Sequence, residues 1–186
     1  MNPLSIRRAE AIDAPAISAL IQSVSHHFTI QPDGSGADAF MQGITSEAVA
    51  RYIADPALRY FAGWWGAGQG QGQGQSQRIP AAAWNAPPRS GHDAHEQLAG
   101  VVAVRHTTHL FHLFVAPRFQ RRGIAWQLWE LAEGVAVAAG NTKGFTVSAT
   151  RVAVPVYQRF GFVATGPVVE KNGIAYVPMQ LRLTRT

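Results

Sequence analysis

The chain contains no cysteine among its 186 residues. That excludes a disulfide framework, a thiolate metal centre and a cysteine nucleophile. No apolar run reaches the roughly 18 residues that a membrane-spanning helix needs, so no membrane partner is expected. Met1 to Glu10 lacks the apolar centre of a signal peptide, and a soluble cytoplasmic protein is the expectation. Acidic side chains are scarce, eleven against sixteen Lys and Arg, for a net charge of +5. That excess suits a polyanionic ligand. One short basic cluster without an aromatic–basic array is thin support for nucleic-acid binding, and none is expected. What the chain does have is apolar content, 47% of residues, with five Trp. This composition and length fit a single globular domain over residues 1–186.

Taken in order, Ile6 to Arg8 begins a first strand. Ile12, Ile17, Leu20, Ile21 and Val24 recur at helical spacing, with Asp13 as cap and Pro15 in the first turn. His26 and His27 close that helix, as a loop pair or as the edge of a substrate pocket. Gln31 to Asp38 is a loop, and Thr45 to Ala54 a second helix ended by Pro56. Arg59 to Trp65 is an aromatic strand. Residues 66–96 follow, with GQGQGQGQ at Gly68 to Gln75, and are expected to be a disordered insertion between neighbouring antiparallel strands. His92 and His95 inside it carry no partnering acids or cysteines at metal-ligand spacing. Leu98–Arg105 and His109–Val115 are strands, Gly123–Ala139 a helix and Phe145–Ala149 a strand. Ala153–Phe160 is a short helix capped by Gly161. Phe162–Val169 and Ile174–Leu183 are a final strand pair, joined at Asn172-Gly173. The class is α+β in mixed form, with about seven strands and four helices.

The stretch that organises the chain is His109 to Ala125, HLFHLFVAPRFQRRGIA. It reads as a strand that stops, a short turn and a helix start. The first turn of a helix leaves backbone N–H groups unpaired and carries the positive end of the dipole. Gly123 allows close approach to the main chain. Arg121 and Arg122 add charge. Together these make a phosphate cradle.

Gln120-Arg121-Arg122-Gly123-Ile124-Ala125, following Leu113-Phe114-Val115-Ala116-Pro117, resembles the acetyl-coenzyme A signature of the GNAT N-acetyltransferase superfamily. A second match runs from Val147-Ser148-Ala149 to Tyr157-Gln158-Arg159-Phe160-Gly161-Phe162. There Tyr157 stands four residues before Gly161, as in that family, and Ser148 stands where an Asn is common. The resemblance implies a central, mostly antiparallel twisted sheet with flanking helices. It implies an enzyme that moves an acetyl group from acetyl-CoA to a primary amine by direct transfer, with no metal. Cofactor contacts would come from Phe114, Val115, Gln120, Arg121, Arg122, Gly123, Ile124, Ala125, Ser148 and Tyr157. The Val115 N–H would be the oxyanion donor, and Tyr157 the acid that protonates the departing thiolate. A homodimer is among the assemblies the resemblance allows.

The amine must also lose a proton. His109 occupies the position where some members carry a carboxylate, and histidine suits that task near neutral pH. His112 is a second candidate. Strict alternation puts His109, Phe111 and Leu113 on one face and Leu110, His112 and Phe114 on the other, so only a bulge would bring the two histidines together. Either could instead be a packed, hydrogen-bonded residue, with water as the base. Two other readings remain: an acetyl-CoA-sensing domain without catalysis, and a His106–His109–His112 metal stripe. The stripe would require a helix where Thr107, Thr108 and LFHLFV favour a strand.

Overall fold

The computed structural model describes residues 4–66 and 96–183. The segment 67–95, which holds the Gly/Gln tract, His92 and His95, lies outside the described residues. Eight strands and five α-helices are present among those described. In chain order these are β1 (Leu4–Arg8), α1 (Ala14–Ser23), α2 (Asp38–Gly43), α3 (Ser46–Ala54), β2 (Leu58–Trp65), β3 (Gln97–Arg105), β4 (His109–Val115), α4 (Ile124–Ala138), β5 (Phe145–Ala149), α5 (Val154–Arg159), β6 (Val163–Ala164), β7 (Val169–Lys171) and β8 (Ile174–Leu181). The sheet order is β1-β2-β3-β4-β5-β8-β6, with β7 paired to β8. Every pairing is antiparallel except β4 with β5.

Two differences from the sequence reading have local causes. The strand expected over Phe162–Val169 is two short strands, β6 and β7. Gly166 and Pro167 interrupt it, and proline can offer no N–H to a ladder. The six-residue helix α2 falls at the end of what reads as a loop. It is too short for a periodic apolar signal. Elsewhere the local chemistry acts as expected. Thr45 caps α3 by accepting from the Ala48 N–H at 3.2 Å. Asp13 makes no capping bond to α1. Its buried carboxylate instead accepts two Arg7 N–H bonds at 2.8 Å each and the Glu10 N–H at 2.8 Å.

Each face of the sheet has its own core. Ile17, Ile21, Val49, Leu58, Tyr60, Val101 and Phe114 pack beneath α1 and α3. Leu128, Trp129, Phe145, Tyr157, Phe162 and Met179 pack against α4 and α5. Strand β4 divides its side chains between them, but not by simple alternation. Val104 is opposite Leu110 and Ala103 opposite His112, which leaves Phe111 unpaired in a β-bulge. An extra residue shifts the parity of everything beyond it. Leu110, Leu113 and Val115 therefore share the α4–α5 face, while Phe114 joins the α1–α3 core. His109 hydrogen-bonds Thr146, which alternates with the inward Phe145 and Val147 of β5. The expected segregation of His109 from His112 is thus overturned: both lie on the α1–α3 face.

Candidate active site

The parallel pairing of β4 with β5 covers only His109 opposite Thr146 and Leu110 opposite Val147. Beyond it the two strands separate, and β4 runs on to Val115 with no partner on that side. Ala116 donates to Ala99 at 2.9 Å across the other edge. Stepping back along the antiparallel ladder, the N–H groups of Phe114 and His112 point to β3, and those of Leu113 and Val115 point into the gap. Pro117 cannot extend the strand and starts a single 3-10 turn, Pro117–Phe119.

The chain then reverses into α4. Arg121 and Gly123 both have positive φ, 61° and 76°. The first helical hydrogen bond runs from Gln127 N–H to Gly123 at 3.1 Å. The amides before it have no carbonyl one turn behind to accept them, so they form a nest of free N–H groups at the positive end of the helix, a geometry suited to an anion. Gln120 steadies the approach by donating to the Val115 carbonyl at 3.1 Å.

A cleft of about 520 Å³ begins at this nest and passes through the gap. Phe114, Val115, Gln120, Arg121, Gly123, Ile124, Ala125, Ser148 and Tyr157 all line it. Of the ten residues that the resemblance implies for cofactor contact, Arg122 is the one outside this lining. Its guanidinium lies over Trp65 at 5.3 Å and Phe119 at 6.0 Å. The Tyr157 ring is 6% exposed and meets Phe160 and Phe162 edge-on. Burial pushes its hydroxyl above the usual phenol range, which keeps the proton on oxygen. That hydroxyl bonds to no other described residue.

The two histidines of β4 sit elsewhere. His109 bonds the Thr146 hydroxyl at 2.9 Å. Burial and the nearby Arg105 lower its pKa, so the ring is neutral at pH 7. His112 Nδ1 and the Tyr60 hydroxyl share a hydrogen bond of 2.8 Å, inside a box of Tyr52, Tyr60, Phe111 and Phe114 rings. Burial, then Arg105, pulls the His112 pKa down to about 3. Neither histidine lines the cleft. His27 does, with Val24 and Phe28 on the α1–α3 side of the gap. Partial burial and the adjacent His26 hold its pKa below the ordinary imidazole value.

Sequence reasoning also passed over Thr150, Trp126 and Arg159, which line the same cleft. His106 occupies a turn at φ 50°, so no helical histidine stripe exists. Among the described residues no three His, Asp or Glu side chains gather as a metal site. No helix among them is long and apolar enough to cross a membrane.

The segment Phe28–Ala37 straps over the α1–α3 side of this opening. Ile30 donates to Gly173 at 2.8 Å and Ala175 to Phe28 at 2.9 Å, tying the strap to the β7–β8 turn. A Cβ on Gly173 would lie 2.3 Å from Gly36 backbone, so no other residue fits there. Phe28 stacks on Phe40 at 5.3 Å and tilts onto Phe114 at 5.5 Å.

Comparison with known proteins agrees with this geometry. The profile described as an acetyltransferase (GNAT) domain matches residues 90–183. The fold is similar to that of a GCN5-related N-acetyltransferase from Rhodopseudomonas palustris, at 17% identity, covering 98% of both chains with a TM-score of 0.67. It is also similar to the PaiA N-acetyltransferase of Thermoplasma acidophilum, solved in complex with coenzyme A. There identity is 11%, coverage 97% of this chain and 99% of that one, and the TM-score 0.64. The ribosomal-protein-S18-alanine N-acetyltransferase of Escherichia coli aligns at 14% identity over 98% and 96% of the two chains, with a TM-score of 0.59. No curated protein matches the sequence.

Proposed function

The chain belongs to the GNAT acetyltransferase family, and from that premise we propose that it moves an acetyl group from acetyl-CoA to a primary amine while holding both substrates at once. The observation that carries this reading is the opening between β4 and β5, flanked by the α4 amide nest on one face and by His27 and Phe28 on the other.

The residues present fit the cofactor. A nest with two positive-φ residues, Arg121 and Arg159 beside it, and an apolar wall of Trp126, Val156 and Phe160 suit a diphosphate followed by a thioester arm. Bound there, acetyl-CoA supplies an activated acyl carbon. The amides of Arg121 to Ala125 hold its diphosphate, each charge–dipole contact contributing about 0.3–1 kcal/mol. The Val115 N–H, aimed into the gap, donates to negative charge that develops on the acyl oxygen. Tyr157 gives its proton to the departing sulfur. Burial holds the Tyr157 phenol above its ordinary value near 10, and a thiol lies near 8.5, so the hydroxyl is the weaker acid; it bonds the sulfur first and releases its proton late.

An ammonium is no nucleophile, so a base must act on the acceptor. His27 is the imidazole at the cleft, and its lowered pKa keeps it neutral and able to accept. His109 stands four strand residues from Leu113, roughly 13 Å at ~3.3 Å per residue, and does not reach the acyl position directly. His112 is the poorer candidate: it does not line the cleft, its Nδ1 is engaged with the Tyr60 hydroxyl, and burial pulls its pKa down to about 3. The test is a melting curve with acetyl-CoA, followed by thiol release across an amine panel. A ligand that binds only the folded state raises the melting temperature. Absence of a rise at millimolar acetyl-CoA would end this reading.

A further inference from the structure

The α1–α3 face of the sheet is covered by helices over β1 to β4 but is open over β5 and β8. Thr146 and Ser148 are exposed there, and Gln180 and Pro178 stand directly opposite them. The polar floor they make is continuous with the cleft through Ser148. Along its β4 border run Arg105, His109 and His112. Arg105 is paired opposite His109. Its guanidinium lies 3.9 Å over the Phe111 ring, which the bulge turns outward from the ladder. Lys171 pairs with Ile174, which alternates in phase with Tyr176 and Pro178, so its side chain shares the same side.

Against Arg105 and Lys171 the described strands of this face set no carboxylate. Strands β3, β4, β5 and β8 contain no Asp or Glu. The one acid of β7, Glu170, projects to the other side and pairs with Arg151 at 3.6 Å. Within this border His112 is 9% exposed; its Nδ1 is engaged with Tyr60, and its Nε2 has no partner among the described residues.

Resting on the acetyl-transfer reading, we propose that the acceptor is an elongated amine whose far end carries an anionic group, held on this face by Arg105 and by Nε2 of His112. Charge and length both set the class. His112 lies three residues from Val115, about 10 Å along the strand at ~3.3 Å per residue. The anionic group must therefore be several bonds from the nitrogen that is acetylated. A polycation would place like charge beside Arg105 and Lys171 with nothing to neutralise it.

The experiment uses the full chain and three amines of one length: 8-aminooctanoate, octylamine and 1,8-diaminooctane. Thiol release should give kcat/KM falling in that order, with roughly tenfold or more between the ends, and added salt should narrow the gap. Arg105→Gln should raise KM for 8-aminooctanoate more than for octylamine, and Arg105→Lys should restore most of the preference. An acetyl-CoA thermal shift in each variant reports folding and cofactor binding. Equal rates, or a preference for the diamine, overturn the acceptor assignment. So does turnover of none of the three when acetyl-CoA still raises the melting temperature. Loss of that thermal shift in the unaltered protein would instead strike the acetyl-transfer reading itself.

Discussion

The two sides of the β4–β5 opening are built on different principles. On the α4–α5 side the polar groups offered to the cleft are main-chain amides, fixed by a few consecutive residues between Pro117 and Ile124. On the α1–α3 side they are side chains and a strap, brought together from β3, β4, the segment after α1 and the β7–β8 turn. The first is local and tolerates a change of side chain wherever the backbone survives. The second is assembled from distant segments, and one displaced contact alters it. Substitutions on the first side should therefore act on cofactor affinity, and those on the second on acceptor use.

The sharpest break between the two sides is expected at His27. His27→Ala should lower kcat/KM for the amine by about 10²-fold or more, the usual scale for a positioned base, with acetyl-CoA binding unchanged. The base must be neutral to act. Because its pKa is held below the ordinary value, the acid limb of the rate profile should lie below pH 6.5 and should vanish in the variant. A preserved limb would move the role to another group. Tyr157→Phe comes next, with kcat down on the order of tens-fold and the acetyl-CoA Kd nearly the same. Equal turnover would remove Tyr157 as the acid.

Gly173→Ala forces the β7–β8 turn away from Gly36. It should raise the acceptor KM roughly tenfold while the thermal shift with acetyl-CoA persists; this corresponds to about 1.4 kcal/mol. Gly123→Ala acts on the other side. Alanine at positive φ is strained by about 1 kcal/mol, which should weaken acetyl-CoA several-fold and leave the acceptor KM alone. The smallest effect is expected for Arg122→Ala. Loss of its stacking on Trp65 should cost about 0.5–1 kcal/mol of stability, with the Kd of acetyl-CoA within about twofold. If Arg122→Ala weakens the cofactor more than Arg121→Ala does, the placement of these two side chains is wrong.

The same contrast explains what could be read from the sequence. The nest was legible because its signal is contiguous: a strand, Pro117, a turn, Gly123 and a helical period. Tyr157 and its helix were legible for the same reason, being fixed by Pro155 and Gly161 nearby. The bulge at Phe111 was not, because only the register against β3 creates it. With it went the correct faces of His109 and His112. The pairing of His27 with the cleft depends on hydrogen bonds from Ile30 and Ala175, far apart in the chain. Arg122 misled for a related reason. Its neighbour in space, Trp65, is on another strand, and nothing adjacent to Arg122 announces it.

Because β4 and β5 are joined through only two residue pairs before they part, the sheet is perforated rather than merely grooved. In the proposed reaction each substrate would enter by its own doorway, on opposite sides of the sheet. Saturation with one should leave the entry of the other unobstructed. A single molecule that threads the hole, an amine joined covalently to coenzyme A through its sulfur, would occupy both vestibules together. It should then be retained more tightly than either half, by the effective concentration that tethering supplies.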